Sequence, residues 1–270
     1  MKSEFGELLV RVDDLSLSFG RTSVLKGVSF EIFDTIGHGQ VLAILGKSGV
    51  GKTQLFRCMA GLQVPTNGGV YIDGLSRTVL EGEVGVVAQH YPLINTRTVI
   101  GNLIRAHQVT GGNGGVKEAQ RIAMEYLAHF GLQSIANHLP TEISGGQRQR
   151  VAIVQQMMCS RHYLIMDEPF SGLDIVAKDD ACALIADMAA LDELNTIVLT
   201  THDVKTACAV ADRVIVLGRD RDEKGEIVPG ARVMCDYDLK MMDLCWHPDI
   251  TKTSQFKQFV ESVEDQIRAM

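Results

Sequence analysis

The sequence predicts an α/β fold, and three features predict it. The apolar run VLAILG is followed at once by the glycine loop GKSGVGKT and then by KTQLFRCMAGL, whose apolar residues recur at helical spacing. That is strand, loop, helix. Further along, HYLIMDEP, NTIVLTTHD and DRVIVLG are short apolar runs separated by helical stretches, the first from about Val176 to Leu191. Strands alternating with helices imply a parallel sheet covered on both faces. Between these halves, from about Pro92 to Ser160, the texture is helical and polar, as an insertion into an α/β core would be.

The elements follow in order. LLVRVDDLSLSFG and VLKGVSFEIF alternate as antiparallel strands do, with FGRTS as the turn. After VLAILG and its loop, the first helix ends at Gly61, a plausible C-cap. VPTNGGVYIDG reads as a turn and a short strand, and VGVVAQ as another strand. TVIGNLIRAHQV and VKEAQRIAMEYLAHFGL fit amphipathic helices joined by TGGNGG, a flexible connector rather than a second phosphate cradle. A third helix follows EISGG. RDRDEKGEI is charged and reads as a loop or hairpin. TKTSQFKQFVESVEDQIRAM has helical spacing, with Phe256, Phe259, Val260, Val263 and Ile267 on one face.

Composition narrows the function classes. The 270 residues suit one large domain or one domain with subdomains, and 46% hydrophobic with 22% charged residues permits a sizeable core. A net charge of -7 argues against a general nucleic-acid binder. None of the six cysteines forms a CxxC pair, so neither a zinc site nor a disulfide framework is indicated, and reduced thiols are expected. Cys245 and His247 lie close together, but two ligands do not make a metal site. The N-terminus MKSEFGELLVRVDD lacks the apolar run of a signal peptide, and no stretch approaches the roughly 18 apolar residues of a membrane span. A soluble chain is expected, which would need partner chains to work at a membrane.

Gly46–Thr53, GKSGVGKT, matches GxxxxGK[ST] in full. Its glycines let backbone N–H groups turn inward on a phosphate chain, and the following helix points its N-terminal dipole at the same anion. Lys52 reaches the β- and γ-phosphates in such a loop, and the Thr53 hydroxyl ligates Mg²⁺. HYLIMDEP supplies a partner: an apolar strand ends in Asp167 and Glu168. Strand alternation would point them differently, which suits two tasks. Asp167 would hold Mg²⁺, directly or through water, and Glu168 would polarise the attacking water. Taken alone, two acids at a strand end are as well explained by solvation. The guanine-reading NKxD of a GTPase is not in the sequence, and a small-molecule kinase does not account for EISGGQRQR.

From about Leu8 to Leu217 these motifs, in this order, resemble the ATP-binding subunit of an ABC transporter. The resemblance implies a P-loop NTPase core of the RecA-like type, an N-terminal antiparallel β subdomain and an inserted α-helical subdomain. The implied division is 1–91 and 161–217 for the core with its β subdomain, 92–160 for the helical part, and 218–270 for a tail. It also assigns residues. Phe19 matches the aromatic that stacks on adenine, the alternative being a buried strand phenylalanine. Gln89 matches the glutamine that touches Mg²⁺ and the attacking water, in the loop between core and insertion. TVIGNL, Thr98–Leu103, sits where the family has TVxxN. Ser144, Gly145, Gly146 and Gln147 belong to ISGGQ, usually written LSGGQ, although Ser144 is equally an ordinary helix N-cap. Asp174 in SGLD matches a subunit contact, and His202 in TTHD matches the histidine that contacts the γ-phosphate. Gly46, Lys47, Ser48, Gly49, Val50, Gly51, Lys52 and Thr53 would hold the nucleotide.

Two departures stand out. VAIVQQMM replaces the usual VAIARAL, placing Gln155 and Gln156 after the signature, and the Gln89 region has an early Pro92 and NTRT. Both bear on packing and partner contact more than on chemistry. DEPFSGLD and the short tail are similar to the nitrate, sulfonate and taurine importer group. The resemblance implies ATP and Mg²⁺ as cofactors and a head-to-tail dimer with a second copy or a paralogue. Permease subunits and a substrate-binding protein are the further expected partners, and the inner face of the cell membrane the expected location. The rival readings are a soluble non-transport ABC-type ATPase, for example in metal-cluster assembly, and a nucleotide-binding scaffold without turnover.

Overall fold

The structure is a computed structural model describing residues 6–35, 37–74, 76–87, 93–110, 114–159, 162–245 and 249–270. In chain order the N-terminal elements are β1 (Leu8–Phe19), β2 (Thr22–Phe33), β3 (Gln40–Leu45), α1 (Lys52–Met59), β4 (Asn67–Ile72) and β5 (Gly85–Val87). Three helices follow: α2 (Val99–Val109), α3 (Gly115–His129) and α4 (Gly145–Cys159). The remainder is β6 (Tyr163–Asp167), α5 (Ile175–Ala190), β7 (Thr196–Thr201), α6 (Val204–Val210), β8 (Arg213–Gly218), β9 (Arg232–Asp238) and α7 (Ser254–Ala269).

Two sheets form. The first is antiparallel, in the order β2-β1-β4. The second runs β5-β6-β7-β3-β8-β9, parallel throughout except for the antiparallel edge strand β9. They meet where Lys26 N–H donates to Ala231 C=O and Ala231 N–H to Val24 C=O, each at 2.9 Å.

The central strand β3 is buried along its whole length, as a strand flanked and covered on both sides must be. Its side chains divide by alternation. Val41, Ala43 and Leu45 join one core with α5, α6, α7 and the helices of the insertion. Leu42 and Ile44 join a second core with α1 and the antiparallel sheet. One face is therefore covered by helices, and the other largely by a β-sheet, which the expectation of a sheet covered on both faces did not specify.

Asn102 gives TVIGNL a physical reason. It is 1% exposed, and its amide bonds to Ile94 N–H at 2.7 Å and to the carbonyls of Ile94, Arg97 and Thr98 at 3.0–3.2 Å. Thr98 caps α2 through Gly101 N–H. One buried side chain thus closes the loop that leads into the insertion.

One element differs from expectation. The strand β9 was not read from RVMCDYD, because its residues are half-buried at an edge and lack clear alternation. The charged stretch before it turns back as a short hairpin, in line with the loop-or-hairpin reading, with Asp222 N–H donating to Glu226 C=O at 2.9 Å. Helix α7 forms as expected, capped by Thr253 and burying Phe256, Phe259, Val260 and Val263. The TGGNGG connector falls partly on residues outside the described set. All six cysteines are free thiols. Burial pushes Cys58 up to about 11 and Cys182, Cys208 and Cys245 up to about 12, which suits packing rather than reactivity.

Candidate functional site

The loop 46–51 leaves the C-terminal end of the central strand β3 and turns into α1. Two glycines are required by space and backbone. A Cβ on Gly46 would lie 2.7 Å from Leu217 O and 2.9 Å from Val50 Cγ1. Gly51 caps α1 at φ +128, strained for any side chain, and its Cβ would meet Leu25 Cδ2 at 3.0 Å. The first turn of α1 carries no acidic residue, so no acid on the helix itself opposes an anion at that end. Lys47, Ser48 and Gly49 are exposed and Val50 is buried beneath them. Lys47 Nζ donates to Arg268 C=O of α7 at 3.1 Å.

Lys52 is 6% exposed. Its ammonium donates to Gly46 C=O at 2.9 Å and lies 3.3 Å from Glu168 Oε1. The other carboxylate oxygen, Glu168 Oε2, is 2.9 Å from His202 Nδ1 and accepts from the Thr201 hydroxyl at 3.1 Å. The acid of one strand end, the histidine of the next and the lysine of the loop therefore converge. The parallel register causes this: β3, β6 and β7 are adjacent, and all end on the same edge of the sheet.

Asp167 and Glu168 do diverge, but strand alternation alone is not the reason. The strand β6 ends at Asp167, and Glu168 takes a left-handed backbone at φ +50. Such a conformation costs about 1–3 kcal/mol in a residue with a side chain. Glu168 N–H is anchored to Thr200 C=O at 2.8 Å, and the left-handed turn aims the carboxylate at Lys52 and His202. Asp167 instead accepts the Thr200 hydroxyl at 2.5 Å on Oδ1.

Phe19 ends β1 with half its surface exposed. It is therefore not a core phenylalanine, and its ring is open to a partner. Ser144 and Gln147 bond to each other: Ser144 Oγ accepts from Gln147 N–H at 3.2 Å, and Gln147 Oε1 accepts from Ser144 N–H at 2.9 Å. This reciprocal pair is a capping box for α4. Asp174 caps α5 through Ala177 N–H at 2.9 Å and is exposed. Gln89 lies outside the described residues. Thr53 is exposed on the first turn of α1.

Sequence reading missed four contributors. Thr200 and Thr201 stood only as strand residues in NTIVLTTHD, yet both are buried and hold the two carboxylates. A hydroxyl at the end of an apolar strand was the available signal. Arg219 donates to Gly49 C=O at 2.9 Å and so holds the glycine loop from behind. Asp203 pairs with Lys178. Neither of these last two left a local pattern. The departure at Gln156 also has a role, since its Oε1 accepts from Val86 N–H at 3.1 Å and ties α4 to β5.

The ABC transporter family profile matches residues 25–171 of this chain. The chain belongs to the ABC transporter family. Similar proteins include the methionine import ATP-binding protein MetN of Brucella abortus strain 2308, 35% identical over 219 residues, which cover 77% of this chain and 57% of that one. The sulfate/thiosulfate import ATP-binding protein CysA 1 of Rhizobium meliloti strain 1021 is 34% identical over 220 residues, covering 80% and 62%. The chain thus spans about three-fifths of the length of these curated relatives. The solved structure of cbiO1 from Clostridium perfringens, described as part of the ABC transporter complex cbiONQ, aligns over 88% of this chain and 91% of its own at a TM-score of 0.71. At 24% identity that likeness shows the fold. Family membership carries ATP binding with it.

Proposed function

We propose that the chain hydrolyses ATP to power solute transport through separate permease subunits. The convergence of Lys52, Glu168 and His202 behind a complete phosphate loop carries this reading. The triphosphate sits on the loop N–H groups and the α1 N-terminus, with Lys52 exchanging its carbonyl partners for phosphate oxygens. Glu168 takes a proton from water as its oxygen attacks the γ-phosphorus, and the bond to the ADP oxygen breaks. His202 steadies the γ-phosphoryl group from the adjacent strand end. Phe19 offers an exposed ring to the adenine.

Mg²⁺ suits the donor set. Magnesium takes hard oxygen ligands, usually one or two from protein, with phosphates and waters supplying the rest. Thr53 and Asp167 are oxygen donors of that kind, and among the described residues no group of three or more His, Cys, Asp or Glu forms an all-protein cage. The ion would neutralise charge on the β- and γ-phosphates. Gln89 is assigned to the same ion and to the attacking water.

The dimer reading rests on Gly145 and Gly146. Neither has a positive φ, and a Cβ on either would meet no atom within 4 Å. Among the described residues nothing calls for glycine there, and glycine is a poorer helix former than alanine. A surface that must let a second molecule approach its backbone does call for it. ISGGQ of one subunit would then cover the nucleotide held by GKSGVGKT of the other, with Asp174 at the contact. Among the described residues no helix is long and apolar enough to cross a membrane. The permease and a substrate-binding protein would be separate chains, and this chain would work at the cytoplasmic face. The relatives' names as import ATP-binding proteins favour transport over a soluble ABC-type ATPase.

Glu168→Gln tests the reading. The variant is expected to bind ATP, to release phosphate at least about 100-fold more slowly, and to accumulate as an ATP-bound dimer on size exclusion. Hydrolysis at the wild-type rate would remove Glu168 from this role.

A further inference from the structure

We propose that Lys178 is a positioning residue for hydrolysis, setting the Glu168–His202 pair from helix α5 through Asp203 and Thr201. The proposal rests on the reading above, in which Glu168 and His202 work at the γ-phosphate. The chain of contacts is continuous. Lys178 Nζ donates to Asp203 Oδ2 at 2.5 Å. Asp203 N–H donates to the Thr201 hydroxyl oxygen at 3.2 Å, and that hydroxyl donates its one proton to Glu168 Oε2 at 3.1 Å. The same Glu168 oxygen meets His202 Nδ1 at 2.9 Å.

Packing does not hold His202, whose side chain is 62% exposed. Its place depends on the three-residue stretch 201–203 and on the bond to Glu168. Thr201 is buried at 1% exposure, so its hydroxyl has one arrangement that satisfies both neighbours. Asp203 fixes the far end of the stretch, and Lys178 fixes Asp203. Burial pushes the Asp203 carboxyl up, but the hydrogen bonds from Lys178 and Thr206 outweigh it and hold the group below its usual range. The Asp203 carboxylate is therefore ionised at neutral pH, and the hydrogen bond it accepts is charge-assisted and directional.

Helix α5 makes this more than a local brace. Asp174, the expected subunit contact, caps the same helix, and Lys178 N–H donates to Asp174 C=O at 2.9 Å one turn on. A second subunit docked on that turn would therefore lie one helical turn from Lys178.

The test uses the whole chain. Steady-state phosphate release against ATP concentration is measured for wild type, Glu168→Gln, Lys178→Met and Lys178→Arg, with thermal melting of each. Methionine keeps the length and apolar stem of lysine and removes the charge. Lys178→Met is expected to lower kcat about 10- to 100-fold, leave KM for ATP within about twofold, and melt near wild type; Lys178→Arg is expected to recover most of kcat. Wild-type kcat in Lys178→Met overturns the positioning role, as does a loss that arginine does not rescue. If Glu168→Gln stalls while Lys178→Met turns over normally, only this proposal fails. If Glu168→Gln hydrolyses at the wild-type rate, the functional reading fails and takes the proposal with it.

Discussion

Replacing Thr200 by valine isolates the orientation of Asp167. Thr200 is fully buried in β7, between Ile44 of β3 and Asp167 of β6. Valine keeps the β-branched shape and the strand pairing, and only the hydroxyl is lost. That hydroxyl donates to Asp167 Oδ1 at 2.5 Å. A hydrogen bond to a charged group contributes about 1.5–3 kcal/mol. Asp167 is part-buried, so water recovers some of this, and the expected loss of stability is about 1 kcal/mol. The larger effect falls on the cation. Groups that orient a ligating carboxylate typically control metal affinity by 10- to 100-fold, about 1.4–2.7 kcal/mol. The assay is phosphate release at saturating ATP as free Mg²⁺ is varied. Half-saturating Mg²⁺ is expected to rise by that factor of about 10–100, with the maximal rate largely recovered at high Mg²⁺. A folded Thr200→Val protein with an unchanged Mg²⁺ curve would refute the reasoning, because Asp167 would then either not be held by Thr200 or not hold the ion.

Two further outcomes are expected. Asp203 titrates below its usual value near 3.8 in the folded protein, so the stability it contributes is fully present above that value and lost as pH falls through the depressed one. Melting curves of wild type and Asp203→Asn are expected to differ at pH 7 and to converge as pH falls through that depressed value; a constant gap would contradict the assignment. Asn102→Ala strips four bonds from one buried loop and is expected to cost about 3 kcal/mol. Faster amide exchange at the start of α2 is the accompanying sign, and protection equal to wild type would refute it.

Much of this chain was legible in its sequence because its signals are local. GKSGVGKT needs specific residues at fixed spacing, since glycine backbone and helix dipole act over a few residues. The apolar runs that became β3, β6, β7 and β8 are short, bounded and flanked by helical stretches. Asp167, Glu168 and His202 could be nominated from their places at strand ends. What failed locally was β9, whose pattern depends on lying at a sheet edge under α7. The aim of Glu168 failed too, since a left-handed backbone in a non-glycine residue carries no sequence mark.

The residues by themselves determined the nucleotide loop, the alternation that builds a parallel sheet, and the family to which the chain belongs. Each of these rests on neighbours along the chain. Only the tertiary structure decided which side chains serve those residues. Thr200 and Thr201 reach across from β7 to Asp167 at the end of β6 and to Glu168 just beyond it. Arg219 braces a loop some 170 residues away in sequence, and Lys178 reaches Asp203 across 25. Such contacts depend on strand order and helix packing, which bring distant residues within about 3 Å at positions no local pattern marks.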